Sequence, residues 1–430
     1  MLKRINYKDK KQFYEVLESR NATIDPEVTA SVLAILQDVK NKGDEALKSY
    51  TEKFDKVSID CLLVSEEEME DAYSQVDEEF ISILKQAKQN IEEYHNLQLT
   101  DGYEIQKEYG VYLGQRILPL NRVGIYVPGG TAAYPSTVLM DVIPAKIAGV
   151  KDIVMVTPPN KDGKINPFIL ATAKIAGVNK IYKVGGAQAI AALAYGTKTI
   201  PQVDKIVGPG NMYVAEAKKL VYGQVDIDMI AGPSEILVIA DENANPKYIA
   251  ADLMSQAEHD RMASSILVST SQPLINQVEV EIEAQMSTLS RIDIMKDSFQ
   301  NYGYAICADS IDDAIEVSNK IAPEHLEMMV ENPKKYLPQI TNAGSIFLGY
   351  YTCESIGDYF GGTNHVLPTN GTARFYSPLG VDSFMKKSSY MYWSAEALQK
   401  DGKKIIRFAE QEGLDAHANA VKVRLDNERY

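Results

Sequence analysis

From Arg122 onward the sequence alternates short β-branched runs with helices rich in small residues, which restricts the chain to parallel sheets with crossover helices. In the first stretch the expected strands are 123–127, 153–156, 181–184, 205–207 and 225–229. The helices between them fall at 136–148, 167–176, 187–195 and 212–222. Strand after strand runs into a turn of glycine or proline: Pro128-Gly129-Gly130, Pro158-Pro159, Gly185-Gly186 and Gly208-Pro209-Gly210. Ligands of open α/β sheets bind at such carboxyl-end turns, so this stretch is a candidate nucleotide platform.

A second alternation follows, with strands expected at 235–240, 265–270, 304–307, 326–330 and 345–348. Helices are expected at 246–259, 273–289, 311–321 and 333–340. Upstream, the first ~100 residues read as helices: Asp25-Pro26 supplies a cap and a first-turn proline, and Ser65 with Glu68 fits a capping box. Residues 350–381 read as a loop dense in Gly, Thr, Asn and Tyr, longer than a connection needs. The fold class expected is α/β, with two Rossmann-like open parallel-sheet domains plus small N-terminal and C-terminal helical segments. The expected boundaries are an N-terminal segment 1–22, a discontinuous α/β domain 23–121 and 236–375, an inserted α/β domain 122–235, and a C-terminal helical domain 376–430. The insertion is inferred because the early helices need a sheet to cover.

Composition narrows the function classes. With 59 Asp and Glu against 44 Lys and Arg, a formal charge of −15 speaks against a nucleic-acid partner. Three cysteines, Cys61, Cys307 and Cys353, form no CxxC spacing, so neither a disulfide framework nor a thiolate zinc cage is expected. The N-terminus turns polar at once and no apolar run reaches membrane-spanning length. A cytoplasmic protein without membrane contact is the expectation.

Four segments carry titratable side chains suited to chemistry. In Leu253–Asp260, Gln256 and His259 stand three apart on one face of an expected helix, half of the roughly four ligands that zinc takes. A helix-end histidine can equally be a solvated residue. In Ala322-Pro323-Glu324-His325-Leu326 a carboxyl and an imidazole share a sharp turn, suited to proton transfer, or to nothing more than a helix-ending proline and two exposed polar residues. Within the long loop, Asp358 offers a carboxylate to a metal, and His365 could bind metal, substrate or neither. Near the C-terminus His417 shares a short segment with the carboxylates Glu412 and Asp415. His95 reads as a surface residue of a charged helix. Gly208-Pro209-Gly210-Asn211-Met212-Tyr213 opens a helix but carries Tyr213 where the dinucleotide fingerprint has its third glycine, so it is either a tight turn or part of an anion cradle.

Taken in order, Tyr126–Gly130, Gly185–Gln188, Gly208–Asn211, Ile230–Glu235, Ser255–His259, Ala322–Leu326, Gly357–Pro368 and Leu414–His417 resemble the histidinol dehydrogenase family across nearly the whole chain. The resemblance implies a zinc- and NAD-dependent four-electron oxidation of L-histidinol to L-histidine through an enzyme-held aldehyde. By the same resemblance Gln256, His259, Asp358 and His417 bind one zinc per subunit, Glu324 activates water and His325 is the general base. It places Ser234, His365 and Glu412 on the substrate, together with Gln256, His259, His325, Asp358 and His417, and gives NAD contacts to Tyr126, Gln188 and Asn211. It further implies a homodimer in which His417 and Glu412 reach the partner's site. The glutamine is an unusual zinc ligand and rests on the resemblance rather than on coordination chemistry. Two other readings stand beside it, a zinc hydrolase and a non-enzymatic two-domain binding protein. Covalent catalysis through a cysteine is not expected, since no cysteine falls in these motifs.

Overall fold

The structure is a computed structural model and describes residues 2–7, 14, 25–129 and 134–426. Gly130 and most of the expected 1–22 segment lie outside the described residues. The strands in chain order are β1 (Lys3–Asn6), β2 (Tyr103–Lys107), β3 (Val111–Pro119), β4 (Arg122–Tyr126), β5 (Asp152–Thr157), β6 (Lys180–Lys183) and β7 (Lys205–Val207). They continue as β8 (Asp226–Ile227), β9 (Glu235–Ala240), β10 (Ser264–Ser269), β11 (Gly303–Cys307), β12 (His325–Met329), β13 (Ser345–Leu348) and β14 (Met385–Tyr392). The chain divides into two compact units, the first of residues 1–98 and 120–384 and the second of residues 99–119 and 385–430.

The first unit holds two parallel sheets. One has the order β6-β5-β4-β7-β8, and the other β1-β11-β10-β9-β12-β13. Both are doubly wound, with the chain reversing direction between β4 and β7 in the first and between β9 and β12 in the second. Their central strands are buried along their length because helices cover both faces. The helices start where the sequence supplies caps: Asn166, Asn211 and Asn245 each accept backbone N–H groups of the first turn. Asp25 and the Ser65–Glu68 capping box do the same upstream.

Several readings of the sequence are corrected. The stripe Val28, Val32, Ile35, Leu36 and Val39 packs with Ile190, Leu193 and Val214, so the early helices cover the first sheet rather than the second. The expected N-terminal helical segment contributes β1, an edge strand of the second sheet. His95 is fully buried, with Nδ1 2.8 Å from Gln98 Oε1, because it continues the stripe of Ile81, Leu84 and Ile91 on the Glu78–Asn96 helix. The long loop contains a helix, Glu354–Tyr359.

The second unit is an antiparallel sheet, β14-β3-β2, with the helices Ala395–Gln411 and Asp415–Leu425 packed on each other. The expected C-terminal helical domain therefore includes a strand. This unit's fully buried apolar side chains, among the described residues, are Val111, Ala397 and Ala418. Met391, Trp393, Phe408 and Val423 are exposed in the single chain.

Candidate active site

At the direction reversal of the first sheet, Tyr126 ends β4 and Gly208 follows β7. Gly208 has φ +112°, and a Cβ on it would lie 2.1 Å from the Tyr126 carbonyl oxygen, so only glycine fits. The turn is pinned from below: Asp228 Oδ2 accepts the Gly208 N–H at 2.8 Å, and the buried Lys218 donates to the Gly208 carbonyl at 2.9 Å while pairing with Asp228. Above it opens a cavity of about 1150 Å³ lined by Tyr126, Gly129, Pro158, Gly186, Gln188 and Asn211. Three glycine turns thus converge on one space. Tyr126 Oη accepts the Gly186 N–H at 3.0 Å, and burial pushes its pKa up to about 12, so the hydroxyl keeps a proton to donate. Asn211 Oδ1 is occupied in capping the Met212–Val221 helix, which leaves its NH2 group for a ligand. Gln188 is buried and its Oε1 has no hydrogen-bond partner among the described residues, a cost that a ligand donor removes.

The second cluster forms at the amino ends of β9 and β12. Ala322 takes a left-handed conformation (φ 54°) to end the Ile311–Ile321 helix, and Pro323 then turns the chain so that Glu324 and His325 enter the sheet beside Glu235. The Glu235 backbone is gripped at both ends: its N–H donates to Glu324 Oε2 at 2.9 Å, and its carbonyl lies 3.1 Å from His325 Nδ1. A carbonyl only accepts, so Nδ1 carries the proton there and Nε2 presents a lone pair. That Nε2 is buried, without a hydrogen-bond partner among the described residues, and 3.9 Å from Asp358 Oδ1. Burial lowers the His325 pKa to about 3 and raises that of Glu324 well above the ordinary carboxyl value.

Around these two stand Gln256, His259, Glu354, Asp358 and His365. His365 Nδ1 donates to the Asp358 carbonyl at 3.0 Å, leaving Nε2 3.4 Å from the Thr137 hydroxyl, and burial lowers its pKa to about 4. The Pro246–Ala257 helix delivers Gln256, whereas His259 lies just beyond its C-terminus, with its N–H on the Gln256 carbonyl at 3.2 Å. Ligand atoms of His259, Glu354 and Asp358 all lie within 4.8 Å of one another. Burial holds Glu354 well above the usual carboxyl range and raises Asp358 to about 7. The protein packed about His259 lowers its pKa, favouring the neutral imidazole that a metal takes, while the residue itself stays exposed. Carboxyls withdrawn from water beside a neutral imidazole and an amide fit a divalent zinc ion. Ser234 immediately precedes β9 and its carbonyl accepts the Ser264 N–H at 2.9 Å. Glu412 and His417 belong to the second unit, one capping the Ala395–Gln411 helix and the other in the first turn of the next, both exposed.

A family profile described as histidinol dehydrogenase matches residues 18–425. The chain belongs to the histidinol dehydrogenase family. It is 59% identical over 416 residues to the histidinol dehydrogenase of Clostridium acetobutylicum, covering 97% of this chain and 96% of that protein. To that of Lactococcus lactis it is 54% identical, covering 99% of this chain and 100% of the other. The crystal structure of histidinol dehydrogenase from Elizabethkingia anophelis superposes with a TM-score of 0.93 at 43% identity, covering 99% of this chain and 98% of that one. For a member of the histidinol dehydrogenase family, one buried acid at the cluster escaped the sequence reading: Glu354. The signal was its spacing of four residues from Asp358, which puts both carboxyls on one face of the Glu354–Tyr359 helix. Cys353 immediately precedes that helix as a free, partly buried thiol.

Proposed function

We propose that this chain oxidises L-histidinol to L-histidine in histidine biosynthesis, transferring two hydrides in succession to NAD. The observation that carries the reading is the held tautomer of His325, whose free Nε2 faces the Asp358 cluster. Zinc, when bound by Gln256, His259, Asp358 and His417, supplies a fixed point for the substrate's imidazole and amine. Tyr126, Gln188 and Asn211 would hold NAD, which would supply the hydride acceptor. His325 Nε2 takes the hydroxyl proton in the first oxidation, and the Glu235 carbonyl steadies the imidazolium that results. Glu324, a carboxyl of raised proton affinity, removes a proton from water as the water oxygen bonds to the aldehyde carbon. The His325 imidazolium returns its proton to the aldehyde oxygen as the water adds, giving the hydrate, and the neutral ring then takes a hydroxyl proton of that hydrate in the second oxidation. Ser234 and His365 hold the substrate in place.

The active enzyme we infer is a homodimer with shared sites, in which Glu412 and His417 act on the partner's substrate. The uncovered apolar side chains of the second unit support this, since a patch of that kind marks an association surface. Mixing equal amounts of His417→Ala and His325→Ala subunits then restores about a quarter of normal activity, since random pairing makes half the dimers mixed and each mixed dimer keeps one intact site of two. The overall reaction is tested by NADH yield per histidinol: two is expected, and a yield of one rules out the four-electron reaction. A zinc hydrolase would give no NADH at all.

A further inference from the structure

An amide metal ligand has a problem that carboxylate and imidazole ligands do not. Its two ends are nearly the same size, yet only the oxygen can ligate, and an NH2 group turned toward a cation repels it. Something must therefore hold the nitrogen away. Gln256 is fully buried, so water cannot do so.

With the amide assigned so that its nitrogen faces Glu354, the Gln256 nitrogen lies 3.0 Å from Glu354 Oε2 and 3.2 Å from Glu354 Oε1. It also lies 3.0 Å from His325 Nδ1, but that nitrogen has its proton committed to the Glu235 carbonyl and cannot accept. The acceptor left for the Gln256 NH2 group is Glu354. Glu354 itself is 2% exposed, and it is fixed in place by its backbone N–H, which donates to Glu327 Oε1 at 2.9 Å. We propose that Glu354 is a positioning residue: it accepts from the Gln256 amide and thereby keeps Oε1 of that side chain turned to the metal. The inference rests on the proposed zinc set. It assigns Glu354, whose carboxyl oxygens would also be within reach of a metal held by His259 and Asp358, to the amide and not to the ion.

The two assignments separate by substitution. Glu354→Gln keeps an acceptor oxygen for Gln256 but removes an anionic ligand, whereas Glu354→Ala removes both. Full-length protein is stripped, reloaded with Co2+, and read by its visible absorption bands and by competition with a chelator. Glu354→Ala is expected to lose roughly ten- to hundredfold in metal affinity and to shift the bands, the usual cost of losing a partner behind a ligand. Glu354→Gln is expected to stay within about threefold of the parent with unchanged bands, since the amide keeps its acceptor. Gln256→Glu sets two carboxyls against each other and weakens binding; adding Glu354→Gln restores a donor and acceptor in exchanged places and recovers most of the loss. The proposal is overturned if Glu354→Ala binds as the parent does, if Glu354→Gln falls as far as Glu354→Ala, or if the exchanged pair shows no recovery. Failure of the underlying metal assignment looks different: the parent chain, or its His259→Ala variant, would then take up Co2+ without regard to this cluster.

Discussion

His325 Nδ1 sits 3.1 Å from the carbonyl of Glu235, and that contact decides which imidazole nitrogen is free to do chemistry. The rim of β9 thus acts as a clamp on the base, and burial keeps the ring neutral. Replacing His325 by Asn keeps a donor for the carbonyl and deletes the Nε2 lone pair. Steady-state NADH production from histidinol is expected to fall roughly 10²- to 10⁴-fold in kcat, the range of general acid–base contributions, with a much smaller change in KM. An unchanged kcat would remove His325 from the proton path.

Asp358 gives a pH signature in the metal-free chain. Its folded pKa is raised to about 7 by burial from an unfolded value of 3.8. Between those values the folded state holds a proton that the unfolded state has lost, so stability is full at the acid end and declines as pH rises. In the presence of a chelator, Asp358→Asn should gain on the parent by up to about 1.4 kcal/mol per pH unit across that window. Urea unfolding at several pH values measures the difference; parallel curves would contradict the raised pKa.

Much of this was legible. The two parallel sheets could be read because β-branched runs alternated with capped helices, and the Asn and Asp caps fixed where helices start. β14 could not be read: Met385–Tyr392 is exposed along nearly its whole length, so its side chains show no alternation. The catalytic cluster was recognisable as motifs but its location was not. The rule that ligands sit at carboxyl strand ends finds the Tyr126 cavity, while Glu324 and His325 lie at the amino ends of the second sheet. Glu354 was hidden for a further reason, because its role depends on a side chain almost a hundred residues away and no local pattern records that contact.

Gly208→Ala tests the pinned turn. A backbone at φ +112° costs a non-glycine residue roughly 1–3 kcal/mol, before the overlap of its Cβ with the Tyr126 carbonyl. A lower melting temperature and a raised KM for NAD are expected, with the substrate KM much less affected. A melting temperature equal to the parent's would show that the turn is not held as described.

Cys353→Ala is expected to retain full activity, because no cysteine falls in the motifs that carry Glu324, His325 and Asp358. Loss of the second hydride transfer alone, read as a drop in NADH yield from two to one, would instead point to a thiohemiacetal step.

The second unit, which carries Glu412 and His417, has an interior of one valine and two alanines among its described residues. So little buried hydrocarbon cannot protect a backbone for long. In a single chain its amide hydrogens should exchange with solvent before those of β9 or β5, and slow down once its bare apolar side chains are covered. Glu412 and His417, to which the proposal gives roles at the partner's site, would therefore sit on the part of the chain whose backbone opens most readily.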